Sequence, residues 1–140
     1  VGLAQLERLD EFVEKKRRMG LFYTESFSGI KGIGLPVAET EYADNIYWVY
    51  GIVLQGESRI TNREIIELLA SEGIGARTFF WCMHEQPVFI KQGMFRGERY
   101  ENAEYLARKG FYIPSGLALT EEQMEETALK VKKALNNVTE

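Results

Sequence analysis

One short segment of the chain, residues 76–87, carries several side chains that could bind a ligand. It combines a guanidinium, aromatic rings, an imidazole and an amide, and the candidate substrate-binding residues are Arg77, Phe79, Trp81, His84 and Gln86. The rings could stack on a base or a sugar, and the guanidinium could bind a phosphate. Alternatively, the segment is the end of a strand packed in the core, with His84 hydrogen-bonded to a backbone carbonyl. The residues alone leave both interpretations open.

Two other chemically suggestive features are interpreted as structural. The glycine-rich stretch 29–34 matches neither the P-loop nor the dinucleotide-binding pattern, so it predicts a flexible loop. Lys31 follows small hydroxyl residues, but nothing in this stretch predicts the burial or the partner that a Schiff-base lysine requires. Cys82 has only His84 nearby as a partner, which indicates a structural thiol. Because the chain has one cysteine and one histidine, we expect no metal site.

The segment must be positioned by the helices and strands that the apolar spacing predicts. Predicted helices cover about the first 20 residues, residues 61–73, residues 102–109 and the chain from Thr120 onward. Predicted strands cover residues 46–54, 74–81 and 111–113, and the first of them is central because both of its faces are apolar. Residues 84–96 have no clear period and predict a loop. Few strands connected by helices indicate an α/β (α+β) fold, a two-layer sandwich around a small sheet.

Capping and amphipathic patterns define the predicted helices further. Thr61 with Glu64, and Thr120 with Gln123, have the spacing of capping boxes, and Gly73 is placed to end a helix. Apolar residues that recur at helical spacing are expected to pack on the core. They are Leu3, Leu6, Leu9, Phe12 and Val13 in the first helix, and Met124, Ala128, Val131 and Leu135 in the last.

Length and composition indicate one globular domain. The chain has 140 residues, of which 45% are hydrophobic and 27% are charged, values typical of folded domains. The net charge of −4 argues against nucleic acid or an anionic membrane as a partner. The best apolar run, residues 47–54, is far shorter than the roughly 20 residues of a membrane-spanning helix. We therefore expect a soluble, cytoplasmic protein, and because it begins at Val1 in a helical pattern, we expect a piece of a longer one.

Four stretches, in this order, resemble one family of enzymes. They are residues 2–12 with 16–18, residues 47–54 with Arg59 and the helix up to Ile74, residues 77–87, and residues 103–106 with 111–115, 119–120 and the last helix. The third is an arginine-aromatic segment that runs into His-x-Gln-Pro. Together they resemble the C-terminal part of the DegT/DnrJ/EryC1/StrS family, which are pyridoxal-phosphate sugar aminotransferases of fold type I.

The resemblance implies a fold and a domain organisation. Residues 1–140 would form a single C-terminal small domain, with 1–25 as a long connecting helix and with helices packed on a small, mostly antiparallel sheet. The large N-terminal domain, which in this family holds the lysine that binds the cofactor, would be absent from the chain. The resemblance therefore implies no catalytic, cofactor-binding or metal-binding residue here. We expect the fragment alone to be inactive and to bind no pyridoxal 5'-phosphate.

The resemblance also implies an activity for the whole enzyme. The nearest subgroup is similar to perosamine synthases, so the parent would be a homodimer that transfers an amino group from glutamate to a keto group of a nucleotide-activated deoxysugar. Arg77 would contact phosphate or hydroxyl groups of that sugar nucleotide, Phe79 and Trp81 would form a wall or stack, and His84 with Gln86 would make polar contacts. Two alternatives are a sugar dehydratase of the same fold and a free-standing binding module without a cofactor.

Overall fold

A computed structural model describes residues 2–56 and 60–139, with side chains described as far as residue 136. The helices are α1 (Gly2–Leu6), α2 (Leu9–Phe27), α3 (Asn62–Ser71), α4 (Pro87–Lys91), α5 (Glu101–Lys109) and α6 (Glu121–Thr139). The strands are β1 (Ile33–Gly34), β2 (Glu39–Thr40), β3 (Ala43–Asp44), β4 (Tyr50–Leu54), β5 (Arg77–Thr78) and β6 (Gly110–Ile113), and Met83–Glu85 form a 3-10 turn. Arg59, part of the family-like stretch, lies outside the described residues.

Four strands form one small antiparallel sheet in the order β1-β4-β6-β5. The central position predicted for the aromatic strand is confirmed, because β4 has a neighbour on each side. The strands β2 and β3 form a separate antiparallel hairpin that the sequence pattern did not predict. The α/β fold class, with helices packed on a small antiparallel sheet, is confirmed.

The core lies on one face of this sheet. Along β4 the buried residues are Tyr50, Ile52 and Leu54, which alternate with less buried neighbours because successive side chains of a strand point to opposite faces. Helices α2, α3 and α6 pack on that face and contribute most of the remaining buried side chains, namely Met19, Tyr23, Phe27, Ile65, Leu69, Ala128, Val131, Ala134 and Leu135. Each large apolar side chain buried there stabilises the fold by about 1.5–3 kcal/mol. The opposite face of the sheet stays more open and carries the candidate site.

Both predicted capping boxes are present. At α3 the Thr61 backbone N–H donates to Glu64 Oε2 over 2.7 Å, and the Glu64 N–H donates to Thr61 Oγ1 over 3.3 Å. At α6 the same exchange joins Thr120 and Gln123 over 3.1 and 3.2 Å. Gly73 ends α3 as predicted, with a φ of +81° that glycine adopts without strain. These helix boundaries therefore follow from local chemistry.

The expected packing of the first helix is wrong in its N-terminal half. The chain forms two helices with a break at residues 7–8, and Leu3, Leu6 and Leu9 are 72%, 66% and 49% exposed. The buried residues of α2 begin at Met19. The core extends only to the second half of α2, where Met19, Tyr23 and Phe27 are buried. The earlier apolar face therefore has no described surface to cover it.

Two predicted strands are shorter than expected. Residues 46–49 are not part of β4, because Tyr47 has a φ of +50° that breaks the extended backbone and turns the chain. The predicted strand 74–81 pairs only as β5, and its pairing ends where Phe79 N–H donates to Gly110 O over 3.1 Å. Pairing stops there because Gly110 is the first residue of the partner strand β6.

The expectation of an irregular loop over residues 84–96 is also wrong. That stretch contains part of the 3-10 turn and the helix α4, which begins with Pro87. Proline suits the first helical position because its missing N–H would have no partner there. Over the described ranges 2–56 and 60–139, no helix is both long enough and apolar enough to cross a membrane.

Candidate functional site

Three of the five predicted site residues line one cavity on the open face of the sheet. Arg77, Phe79 and Trp81 border a space of about 490 Å3, which is also lined by Arg63, Ile66, Glu67, Thr78, Phe80 and Tyr112. Arg77 lies directly opposite Tyr112 in the β5–β6 register. The cavity therefore joins a guanidinium to aromatic rings, as the sequence predicted, and it adds residues from α3 and β6 that the sequence did not indicate.

Phe79 forms the floor of this cavity. Its ring lies over two glycines of the sheet, so that a Cβ atom added at Gly51 or at Gly110 would come within 2.7 or 2.5 Å of a ring carbon. Carbon atoms in contact normally stand about 3.5–4.0 Å apart. The glycines are thus required by the ring, and one face of Phe79 is covered by backbone. Phe79 can serve as a wall, and its covered face is closed to a stacked ligand.

Trp81 and Arg77 are the accessible members of the set. Trp81 is 44% exposed, and the guanidinium carbon of Arg108 lies 5.3 Å from the centre of its ring, within the range of a cation–π contact. Trp81 also lines a second cavity of about 260 Å3 together with Arg63 and Thr78. Within the described part of the chain, Arg77 makes no ion pair. Its guanidinium is therefore available to an anion.

His84 and Gln86 do not line the cavity. The Nε2 atom of His84 lies 3.1 Å from Glu104 Oε1, and the side chain is 7% exposed. Gln86 donates from Nε2 to the backbone oxygen of Trp81 over 3.3 Å. The packed interpretation of His84 was right about its burial and wrong about its partner, which is a carboxylate and not a backbone carbonyl. A histidine in this place needed an acceptor, and α5 supplies one 20 residues along the chain.

Glu104 is the electrostatic centre of this part of the domain. Its carboxylate accepts hydrogen bonds from Arg99 Nε at 3.0 and 3.1 Å and from the backbone N–H of Tyr100 at 3.1 Å. The Arg99 hydrogen bond, then that of the Tyr100 N–H, lowers the pKa of Glu104 to about 2, with a smaller contribution from His84, while partial burial opposes the shift. The group is therefore ionised throughout the physiological range.

The same residues do not favour a metal ion. His84, Glu85 and Glu104 have ligand atoms within 4.8 Å of one another, the one such group in the described ranges. However, Arg99 pairs with Glu104 at 2.8 Å and Arg108 pairs with Glu85 at 2.5 Å. A cation at this point would face two guanidinium groups whose charge already neutralises both carboxylates.

The lysines that could be considered for a Schiff base do not fit an aldehyde cofactor. Lys31 is exposed in the turn after α2, without the burial or partner that a Schiff-base lysine requires. Lys16 is half-buried, and burial lowers its pKa, but its ammonium donates to the backbone oxygens of Trp48, over 2.8 Å, and of Ser115. Cys82 is buried, and burial raises the pKa of its thiol, in agreement with the predicted structural role.

The sequence missed several residues of the site, and for one of them a signal existed. The alternation in β6, where Phe111 and Ile113 are buried, places Tyr112 on the open face. Arg63, Glu104 and Arg108 are charged residues on helices, a pattern that is ordinary for a solvated surface. Only the packing of their helices brings them to the segment.

Together, the fold and the site define the class as a small α/β domain with a ligand-sized cavity on the open face of its sheet. The family model described as the DegT/DnrJ/EryC1/StrS aminotransferase family matches residues 1–132. The chain therefore belongs to that family.

Individual relatives agree with this assignment. The chain is 32% identical over 124 residues to a putative pyridoxal phosphate-dependent aminotransferase, EpsN, of Bacillus subtilis, covering 88% of this chain and 31% of EpsN. It is 24% identical over 139 residues to a GDP-perosamine synthase of Vibrio cholerae, covering 97% of this chain and 36% of that protein. It is also 24% identical over 136 residues to a GDP-4-keto-6-deoxy-D-mannose 3-dehydratase of Yersinia pseudotuberculosis, covering 95% and 34%.

Solved structures carry the same fold. Helicobacter pylori PseC, an aminotransferase involved in pseudoaminic acid biosynthesis, superposes with a TM-score of 0.85 at 19% identity, covering 97% of this chain and 36% of that one. The chain thus spans about a third of the length of the curated relatives and the solved structure that it matches.

Proposed function

We propose that this chain is the C-terminal small domain of a pyridoxal-phosphate-dependent sugar aminotransferase. The parent enzyme would transfer an amino group from glutamate to a keto group of a nucleotide-activated deoxysugar, in the manner of a GDP-perosamine synthase. The observation that carries the proposal is the open cavity of about 490 Å3, where Arg77, which makes no ion pair with a described residue, meets aromatic rings in a member of this family. Such a space is within the size range of small-molecule sites.

The residues of the chain divide into two roles under this proposal. Arg77 binds a phosphate or hydroxyl group of the sugar nucleotide, because it offers a free planar donor set. Trp81 stacks on the ligand and Phe79 forms the wall beneath it. His84 and Gln86, which bond to Glu104 and to the Trp81 backbone, support the segment that carries these contacts.

The cofactor is held by other parts of the proposed enzyme. Neither Lys31 nor Lys16 fits the aldehyde, as described above, and we therefore assign no cofactor contact to this chain. When bound elsewhere in the enzyme, pyridoxal phosphate supplies the electron sink for amino transfer. The domain's own contribution is to bind and orient the sugar nucleotide. We further propose a cytoplasmic homodimer, with neither nucleic acid nor membrane as a partner.

The test is steady-state kinetics of the enzyme expressed from the complete reading frame that contains this chain. We expect Arg77→Ala to raise KM for the sugar nucleotide by about tenfold, since a hydrogen bond to a charged group is worth about 1.5–3 kcal/mol. KM for glutamate should change by less than about twofold, because the proposal places Arg77 against the sugar nucleotide and not against the amino donor. Arg18→Ala, an exposed arginine on α2 outside this cavity, is the matched control. Equal increases in KM for the sugar nucleotide and for glutamate would contradict the role assigned to Arg77.

A second function is favoured by the relatives named as sugar dehydratases. In that case the product of the nucleotide sugar would lack a hydroxyl group and carry no new nitrogen. Mass spectrometry of the product separates the two reactions. The sequence encoded upstream of Val1 also separates them, since the dehydratase carries histidine where the aminotransferase has its cofactor lysine. A reading frame that starts at Val1 would instead favour a free-standing binding module.

A further inference from the structure

Helix α5 contacts residues 81–85 at two points that lie one helical turn apart. Glu104 engages His84 Nε2 at 3.1 Å. Four residues later, Arg108 pairs with Glu85 at 2.5 Å and lies over the ring of Trp81. Residues four apart share a helix face, so one face of α5 holds both neighbouring residues of the 3-10 turn and the ring beside it.

Glu104 holds the neighbouring chain segments in place through several hydrogen bonds. Glu104 is 8% exposed. Its carboxylate is hydrogen-bonded to His84, which precedes α4 in the chain, and to Arg99 and the Tyr100 N–H, which follow α4. Hydrogen bonds to an ionised group are about twice as strong as neutral ones. Removing the carboxylate would leave the buried imidazole of His84 without its hydrogen-bond partner, which is unfavourable, whereas the exposed Arg99 side chain would be hydrated.

The 3-10 turn at Met83–Glu85 connects Glu104 to the cavity. Glu85 N–H donates to Cys82 O and Gln86 N–H donates to Met83 O, both over 3.1 Å. Gln86 also returns a side-chain hydrogen bond to the backbone of Trp81. Displacement of the turn would therefore move Trp81, which lines both cavities.

We propose that Glu104 and His84 are positioning residues that fix Trp81 at the ligand cavity, by holding the 3-10 turn against α5. They would act through Trp81 and touch no substrate themselves. This inference rests on the proposed function, in which Trp81 contacts the sugar nucleotide.

The positioning is tested without catalysis on the 140-residue chain. In a Trp48→Phe background Trp81 is the only tryptophan, and His84 is the only histidine, so both rings give unambiguous signals. We expect Glu104→Ala to abolish the magnetisation transfer between the His84 and Tyr100 rings, whose centres lie 4.9 Å apart. Acrylamide quenching of Trp81 should rise by about twofold as the indole leaves its fixed, partly covered position. Glu101→Gln, an exposed residue on the same helix, should change neither signal.

Rescue separates positioning from a general loss of structure. Glu104→Gln retains an Oε1 atom that can accept from both the Tyr100 N–H and His84 Nε2, so the ring contact, the quenching and the exchange of the Tyr100 amide should stay near their original values. Glu104→Ala should raise the rate of that exchange by about tenfold or more. If Glu104→Ala does not fold, His84→Ala decides the question, since it removes the same hydrogen bond from the other side and should raise the quenching of Trp81. An unchanged His84–Tyr100 contact with unchanged quenching in a folded Glu104→Ala protein, or unchanged quenching in a folded His84→Ala protein, would overturn the proposal.

The functional consequence is measured in the complete enzyme. We expect Glu104→Ala to raise KM for the sugar nucleotide by about fivefold, while kcat changes by less than about twofold, because uniform binding is lost and the chemical step is untouched. A complete wild-type enzyme without transferase activity would refute the proposed function alone, since quenching and ring contacts decide the positioning independently. Altered quenching with unchanged KM in an active enzyme would overturn the positioning role in ligand binding.

Discussion

Gly20 in α2 accommodates the ring of Tyr47, and its replacement by alanine tests that packing. A Cβ atom at Gly20 would lie 2.3, 2.4 and 2.5 Å from three ring carbons of Tyr47, about 1 Å closer than carbon atoms tolerate. The ring cannot easily move, because Tyr47 is 2% exposed and stacks on Tyr50 at 6.1 Å. Its backbone N–H is also held by Asn45 Oδ1 at 2.7 Å.

The magnitude follows from two opposed effects. Overpacking a well-filled core costs about 1–3 kcal/mol, whereas alanine gains about 0.5–1 kcal/mol over glycine inside a helix. We therefore expect Gly20→Ala to lower the free energy of unfolding by about 1–2 kcal/mol. Complete expulsion of the ring sets an upper limit of about 4 kcal/mol, since an aromatic side chain buries about 150 Å2 at about 25 cal/mol per Å2.

The assay is urea unfolding of the 140-residue chain followed by far-UV circular dichroism. Gly75→Ala is the matched control, because a Cβ atom there meets nothing within 4 Å, and its unfolding free energy should stay within about 0.5 kcal/mol of the original. In a Tyr47→Ala background, Gly20→Ala should raise the free energy of unfolding instead of lowering it, because only the higher helix propensity of alanine remains. A Gly20→Ala protein as stable as the original, with no coupling to Tyr47, would refute the packing argument.

Two further predictions concern a buried hydroxyl and a titrating carboxylate. The hydroxyl of Tyr47 is buried without a hydrogen-bond partner among the described residues, so Tyr47→Phe should leave the unfolding free energy unchanged or raise it by about 1 kcal/mol. Tyr50→Phe, which breaks a 2.9 Å bond to Thr24, should instead lower it by about 1 kcal/mol, and a loss for Tyr47→Phe equal to that of the control would contradict the first assignment. The pKa of Glu104 is lowered to about 2 from an ordinary value of 4.5, so its stabilisation is present above the ordinary value and is lost as pH falls toward the lowered one. Urea midpoints of the original and Glu104→Gln proteins should therefore converge on acidification through this window, and a constant difference between them would show that this titration is not involved.

Local chemistry explains why some elements could be predicted from the sequence. The capping boxes at Thr61 and Thr120 and the end of α3 at Gly73 depend on residues within one or two turns of each other, so their spacing carries the full information. The buried positions of α6 follow a helical period, and the central place of β4 follows from its two apolar faces. The arginine-aromatic composition of residues 76–87 was likewise enough to indicate where a ligand could bind.

Positions that depend on distant partners could not be predicted in this way. The pairing of β5 ends at Phe79 because its partner strand ends there, and β4 begins only after Tyr47 has turned the chain with a φ of +50°. The exposure of the leucines in the first helix depends on how far the core extends. Periodicity reports only that a face is apolar, and it does not report whether a surface lies opposite.

By itself, the sequence determined the family, the fold class, most helix boundaries and the segment whose Arg77, Phe79 and Trp81 line the cavity, because these reside in short-range patterns. Only the tertiary structure decided which side chains of that segment face the cavity and which are buried. Arg77 and Trp81 reach the cavity, whereas His84 turns inward because Glu104, 20 residues later, offers a buried carboxylate. The choice between a ligand contact and an internal hydrogen bond to a carboxylate depends on which groups the packing of α5 brings within hydrogen-bonding distance, and no spacing along the chain encodes that distance.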